Sequence, residues 1–163
     1  MTAVSFWRRS QLLILFVILL SGFYQTRGYA FVEGQIVTSK ALRPDKNGDI
    51  LVNCKPALSR TDDLVEIELT VHFKDTEKIS GPPLSDLEIK LDDKHIARIE
   101  VLAITDKGKS FRTEISSWDD ITKRVWFQMT DRLPKESRVT KIVIKSKDIK
   151  RVDKIVWYSS FNK

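Results

Sequence analysis

One alternating segment carries residue types that proton transfer or metal binding would require. Glu66, Glu68 and His72 stand at even positions, and even positions of a strand share one face. An imidazole beside two carboxylates has the chemistry of a general base or of a metal ligand set. Such residues are also the ordinary composition of the exposed side of a strand. We favour this second interpretation, so the sequence predicts no catalytic residue, no metal site and no cofactor.

Acidic residues elsewhere fall in turns. Asp45, Asn47 and Asp49 have the spacing of oxygen ligands in a calcium loop, but Ile50 and Pro56 stand where that loop needs glycine and its closing carboxylate. A turn explains the segment better. Three pairs of aspartates are also predicted to lie in loops, at 62–63, 92–93 and 119–120. A hydrolase built from scattered carboxylates is the least favoured alternative, and we expect the protein not to be an enzyme.

Positive charge is concentrated near the C-terminus. Between Lys135 and Lys163 there are nine basic residues and three acidic ones. A strip of basic side chains that binds an anionic polymer or surface is predicted there, formed by Lys141, Lys145, Lys147, Lys150, Arg151 and Lys154. Lysines on an exposed strand also prevent edge-to-edge aggregation, so this alternative stays open.

The tryptophans offer a second kind of binding candidate. Trp118 follows two serines in a predicted loop, and an exposed indole ring is a good platform for a sugar or an apolar side chain. Trp126 alternates with apolar neighbours and so faces away from the side that they bury, where it would be exposed unless the sandwich covers both faces of its strand. We favour the core for Trp126 and for Trp157. Trp118 is therefore the aromatic candidate for a binding site.

The elements that must position these residues are strands. Val65–Phe73 places an apolar residue at every odd position, which is the period of a half-buried strand. Ile96–Thr105 is more continuously apolar and predicts one strand covered on both faces. Similar segments recur between turn-formers, without an apolar stripe at helical spacing. We predict an all-β fold, an antiparallel two-sheet sandwich of jelly-roll or Ig-like type with about eight or nine strands.

The first thirty residues differ from the rest. Arg8 and Arg9 precede an apolar run, which is typical of an export signal. The apolar stretch is shorter than the roughly 20 residues that span a bilayer, so cleavage after Ala30 is favoured. Residues 1–30 are thus predicted to be a signal peptide, with an N-terminal signal anchor as the alternative, and residues 31–163 an extracytoplasmic β-sandwich domain.

Composition and location narrow the function classes. Cys54 is the single cysteine, so no intramolecular disulfide forms, and a buried strand position is predicted for it. Export makes nucleic acid an unexpected partner. We predict a periplasmic or secreted non-catalytic binding module whose partner is an anionic polymer, a glycan or an envelope protein. An assembly subunit of an envelope complex is the alternative, and membrane contact is expected only through an uncleaved N-terminal segment.

Overall fold

A computed structural model describes residues 34–60, 64–76, 79–81 and 83–159. The predicted all-β class is confirmed, with more strands than expected. The described strands are β1 (Gln35–Thr38), β2 (Asp49–Ser59), β3 (Val65–Phe73), β4 (Pro83–Ser85), β5 (Glu88–Lys90), β6 (Ile96–Arg98), β7 (Glu100–Thr105), β8 (Ser110–Asp119), β9 (Arg124–Met129), β10 (Arg138–Lys145) and β11 (Ile149–Ser159). The described part contains no helix long and apolar enough to cross a membrane. The predicted leader lies outside the described residues.

Eight of these strands form one antiparallel sheet. Their order is β1-β11-β3-β9-β8-β7-β10-β2, and the sheet is nearly closed. Strand β8 links its halves, because residues 110–112 pair with β7 and residues 113–119 pair with β9. The other three strands form a small sheet in the order β4-β5-β6.

Strand β3 shows how the sequence pattern builds the core. Its odd-numbered residues from Val65 to Phe73 are all buried, as the alternation predicts. They join the inward-facing residues of the other long strands in one hydrophobic cluster. Trp157 belongs to that cluster, as predicted, and its indole Nε1 donates a hydrogen bond to Ser59 O at 3.1 Å.

The segment from Ile96 to Thr105 does not form the single strand that its apolar run predicts. The chain leaves the small sheet and enters the large one at Ile99, which is fully buried. The N–H group of Ile99 donates to Leu87 O at 2.8 Å, so this residue is bonded at the junction between β6 and β7. A run of apolar residues indicates that the segment is buried, but it does not show that the chain passes from one sheet to another within it.

The last two long strands are not hydrogen-bonded neighbours. Strand β10 lies between β7 and β2, and β11 lies between β1 and β3. The loop that joins them is held through Asp148, whose backbone oxygen accepts a bond from Lys74 N at 2.9 Å. Its side chain accepts a second bond from Arg98 N at 3.0 Å. The loop therefore carries the chain from one half of the sheet to the other.

Strand β2 is one end of the large sheet. Ser146 N donates to Gly48 O, and in an antiparallel ladder every second residue bonds the neighbouring strand. The N–H and C=O groups of Leu51 and Asn53 therefore point away from β10. Asp45 occupies the start of this edge, because it bonds both N and O of Asp49. Beyond Asn53 the register jumps to Leu58, so the strand bulges. The regular open edge is consequently short.

Candidate ligand-binding face of the large sheet

A group of polar and aromatic side chains lies on the outer side of β11, β3, β9 and β8. All but one of them occupy two adjacent cross-strand rows, and Arg124 lies in the next row, opposite Thr70. One row runs Tyr158, Glu66, Gln128, Glu114, and the other runs Val156, Glu68, Trp126, Ser117. We call the following seven residues the polar-aromatic face: Glu66, Glu68, Glu114, Arg124, Trp126, Gln128 and Tyr158.

Glu68 is a buried carboxylate within this face. Its residue exposure is only 2 %, although it stands on the outward side of β3. The Tyr158 hydroxyl donates a hydrogen bond to Glu68 Oε2 at 2.7 Å, and Arg124 Nε lies 3.6 Å from Oε1. A buried charge needs such partners, because its lost hydration is costly. The carboxylate therefore fixes Tyr158 and Arg124 around itself.

The Tyr158 ring is held on more than one side. Burial, the hydrogen bond to Glu68 and the negative charge of that carboxylate raise the pKa of Tyr158 to about 12. A Cβ atom added at Gly34 would clash with Tyr158 Cε1, so the glycine backbone packs directly against the ring. The ring is thus neutral at physiological pH and fixed in position.

Two further carboxylates flank Gln128. Glu66 is half-buried, and its loss of hydration raises its pKa, while a hydrogen bond from Ser116 opposes that shift. The Ser116 hydroxyl lies 3.5 Å from Glu66 Oε1 and 3.2 Å from the backbone oxygen of Trp126. Among the described residues, no basic group lies within ion-pair distance of Glu66 or Glu114. Their charges are therefore open to a ligand.

The structure places Trp118 against the core and Trp126 on the outer face. The register of β8 shifts between Ile115 and Ser117, and this bulge places Trp118 opposite the buried Val125. Trp118 is consequently half-buried and packs against the core. Trp126 is the half-buried ring on the outer face, between buried Val125 and Phe127. Trp118 thus belongs to a strand and not to the predicted loop.

His72 lies on the same outer side of β3 but is engaged elsewhere. Its Nε2 atom lies 2.8 Å from Asp153 Oδ2 and 3.1 Å from Arg151 Nη2. Arg151 Nε in turn lies 2.6 Å from Asp153 Oδ1, in an ion pair whose angle does not suit a hydrogen bond. The described residues contain no group of three metal-ligating side chains that could hold an ion. His72 thus joins a separate charged cluster.

The predicted basic strip is divided by the topology. Lys141, Lys145 and Lys147 are exposed on the outer side of β10 and its following loop, as their spacing predicts. Lys150, Arg151 and Lys154 belong to β11, and four strands separate β11 from β10 in the sheet. One continuous strip would require β10 and β11 to be paired, and they are not neighbours in the sheet. Arg151 is further occupied by Asp153.

No protein-family model, curated protein or solved structure matches this chain. The polar-aromatic face therefore rests on its own geometry. Sequence reasoning missed Tyr158 and Glu68 as a pair, because 90 residues separate them and only the register of β11 on β3 brings them together. The one available signal was the row of glutamates on the even positions of β3.

Proposed function

We propose that the protein is an exported, non-catalytic module that binds carbohydrate on the polar-aromatic face. The observation that carries the proposal is the placement of two half-buried rings, Trp126 and Tyr158, beside hydrogen-bonding side chains on one outward surface. Aromatic faces stack on the apolar faces of sugars, and Glu66, Gln128 and Arg124 supply acceptors and donors for hydroxyl groups. The bond between Tyr158 and Glu68 preorganises one ring before a ligand arrives, which limits the entropy lost on binding.

Two features favour binding over catalysis. Glu68 is nearly inaccessible, so it cannot touch a substrate without displacement of its neighbours. His72 is already engaged by Asp153 and Arg151. A hydrolytic pair needs an acid and a base that both reach the reacting bond.

We place the module outside the cytoplasm because of the basic and apolar leader at residues 1–30. It is released after signal cleavage, with a retained single-pass anchor as the alternative. We further propose that the large sheet works as a two-layer sandwich of jelly-roll type, in which β1, β11, β3 and β9 face β7, β10 and β2. The single hydrophobic cluster shared by both sets of strands supports this description.

A glycan array probed with the full chain tests the function. Binding to a defined glycan is expected, and Trp126→Ala should abolish it. Ile121→Ala is the matched control, because Ile121 is 91 % exposed at the turn between β8 and β9 and lies outside the polar-aromatic face. Absence of any glycan hit, or equal binding by the Trp126 variant, would refute the proposal.

A second candidate function is protein interaction through the other half of the sheet. Leu51, Val143 and Leu102 stand opposite one another on β2, β10 and β7 and form an outward apolar row. Leu51 is 58 % exposed, and contiguous apolar surface is typical of interaction sites. Cross-linking of the full chain to envelope proteins in intact cells should give a defined partner that Leu51→Asp removes. Identical cross-linked products from the wild type and from Leu51→Asp would argue against protein interaction through this row.

A further inference from the structure

We infer that the ligand of the polar-aromatic face is an extended glycan that carries free amino groups. This inference rests on the proposed carbohydrate-binding function and specifies its ligand. It follows from the row that runs Tyr158, Glu66, Gln128, Glu114 across four strands.

The charged side chains in this row are all negative. Glu68 in the neighbouring row is satisfied by Tyr158 and accompanied by Arg124, so it has little attraction left for a ligand. Glu66 and Glu114 have no basic partner among the described residues. A polyanionic glycan would be repelled by two unpaired carboxylates, whereas an ammonium group would pair with them.

The spacing suits a polymer better than a single sugar. Glu66 and Glu114 are separated by the intervening strand β9, which puts their Cα atoms roughly 10 Å apart at the usual distance between strands. In an extended β-1,4-linked chain, alternate sugars present the same edge to a flat surface. Two amines on alternate sugars can therefore meet the two carboxylates, while Gln128 between them bonds hydroxyl groups of the middle sugar.

The rings complete the match. Tyr158 stands beside Glu66 at one end of the row, and Trp126 lies in the adjacent row. An ammonium ion is attracted to the face of an aromatic ring as well as to a carboxylate. Glu66 is half-buried and its loss of hydration raises its pKa, so an ammonium group bound beside it would stabilise the charged carboxylate.

Titration calorimetry of the full chain with three oligosaccharides of equal length tests the inference. The probes are β-1,4-linked oligomers of glucosamine, of N-acetylglucosamine and of glucose. We expect the glucosamine oligomer to bind best, with an affinity that falls as salt rises. Replacing both carboxylates, as Glu66→Gln with Glu114→Gln, should weaken binding of this oligomer roughly fivefold, the size expected for two partly exposed ion pairs.

The same double variant should lose less affinity for the glucose oligomer than for the glucosamine oligomer, because Gln keeps an oxygen acceptor for hydroxyl groups but has no charge for an ammonium group. Its thermal unfolding shows whether the domain is intact. A Glu88→Gln variant on β5, outside the polar-aromatic face, controls for a general change of charge. Equal affinity of the wild type for all three oligomers, with loss of all binding in Trp126→Ala, would refute the amine preference and leave the carbohydrate function standing. No binding to any oligomer or to a glycan array would refute both.

Discussion

Replacing Tyr158 with phenylalanine removes one hydroxyl group and leaves the ring in place. That hydroxyl is the donor at 2.7 Å to Glu68, whose exposure is 2 %. After the substitution, Oε2 of a buried carboxylate has lost its donor. The remaining cation, Arg124 Nε at 3.6 Å, lies on a side chain that is 44 % exposed, so it compensates only in part.

The expected loss of stability follows from the type of bond. A hydrogen bond to a charged group contributes about 1.5–3 kcal/mol, and an unsatisfied buried acceptor costs an amount of that order. We therefore expect Tyr158→Phe to lower the free energy of unfolding by about 2 kcal/mol at pH 7. For a domain of this size the melting temperature should fall by roughly 5–10 °C.

Urea unfolding of the wild type, Tyr158→Phe, Glu68→Gln and the double variant forms the assay. The two residues should be coupled, so that the double variant loses less than the sum of the single losses. The pH dependence is a second reading. The pKa of Tyr158 is raised to about 12 from an ordinary value of 10, so its stabilisation is complete below pH 10 and is lost as pH rises toward 12. The phenylalanine variant should lack this alkaline loss, and a change below about 0.5 kcal/mol with no coupling would refute the reasoning.

Three further predictions concern other residues. Burial raises the pKa of the Cys54 thiol to about 11, so a disulfide reagent at pH 8 should modify it only after unfolding, and rapid modification of the folded protein would contradict its buried position. Trp118→Ala should lower the free energy of unfolding, measured with urea, by about 2 kcal/mol or more, and Trp126→Ala should lower it by clearly less. The reason is that, of these two rings, Trp118 packs against the core. The opposite order would contradict the bulge that turns Trp118 inward. Replacing the three exposed lysines of β10 and its loop with Gln should weaken binding to anionic vesicles at low salt and change stability by less than about 0.5 kcal/mol each, and unchanged binding would remove them as an anion site. Those lysines are Lys141, Lys145 and Lys147.

Local pattern predicted the strands well where the ladder is regular. The alternation in Val65–Phe73 gave both the bounds of β3 and its buried side. Trp118 was predicted to lie in a loop, but it belongs to β8, where one extra residue in a bulge exchanges the two faces of the strand and turns the ring toward the core. Nothing in the letters around Ser116 marks that extra residue.

The candidate site depends on strand order, which a single sequence does not encode locally. Tyr158 meets Glu68 because β11 pairs with β3, and the basic strip divides because β10 pairs with β7 and β2. Side chains far apart in the chain become neighbours through these pairings, whereas Lys145 and Lys150, which are close in sequence, lie on strands that are not paired with each other. Position in the sheet also removes one explanation for the lysines, since β10 is flanked on both sides and is not an edge that needs protection.

The outer edge of β2 limits how far two copies of this protein can associate through strand pairing. Only the backbone groups of Leu51 and Asn53 face outward in regular register, because Asp45 occupies the positions before them and the bulge ends the ladder after them. An added strand would gain a few hydrogen bonds and then meet these obstructions at either end. Copies of the domain at high local concentration can thus lie side by side without their sheets merging into fibres.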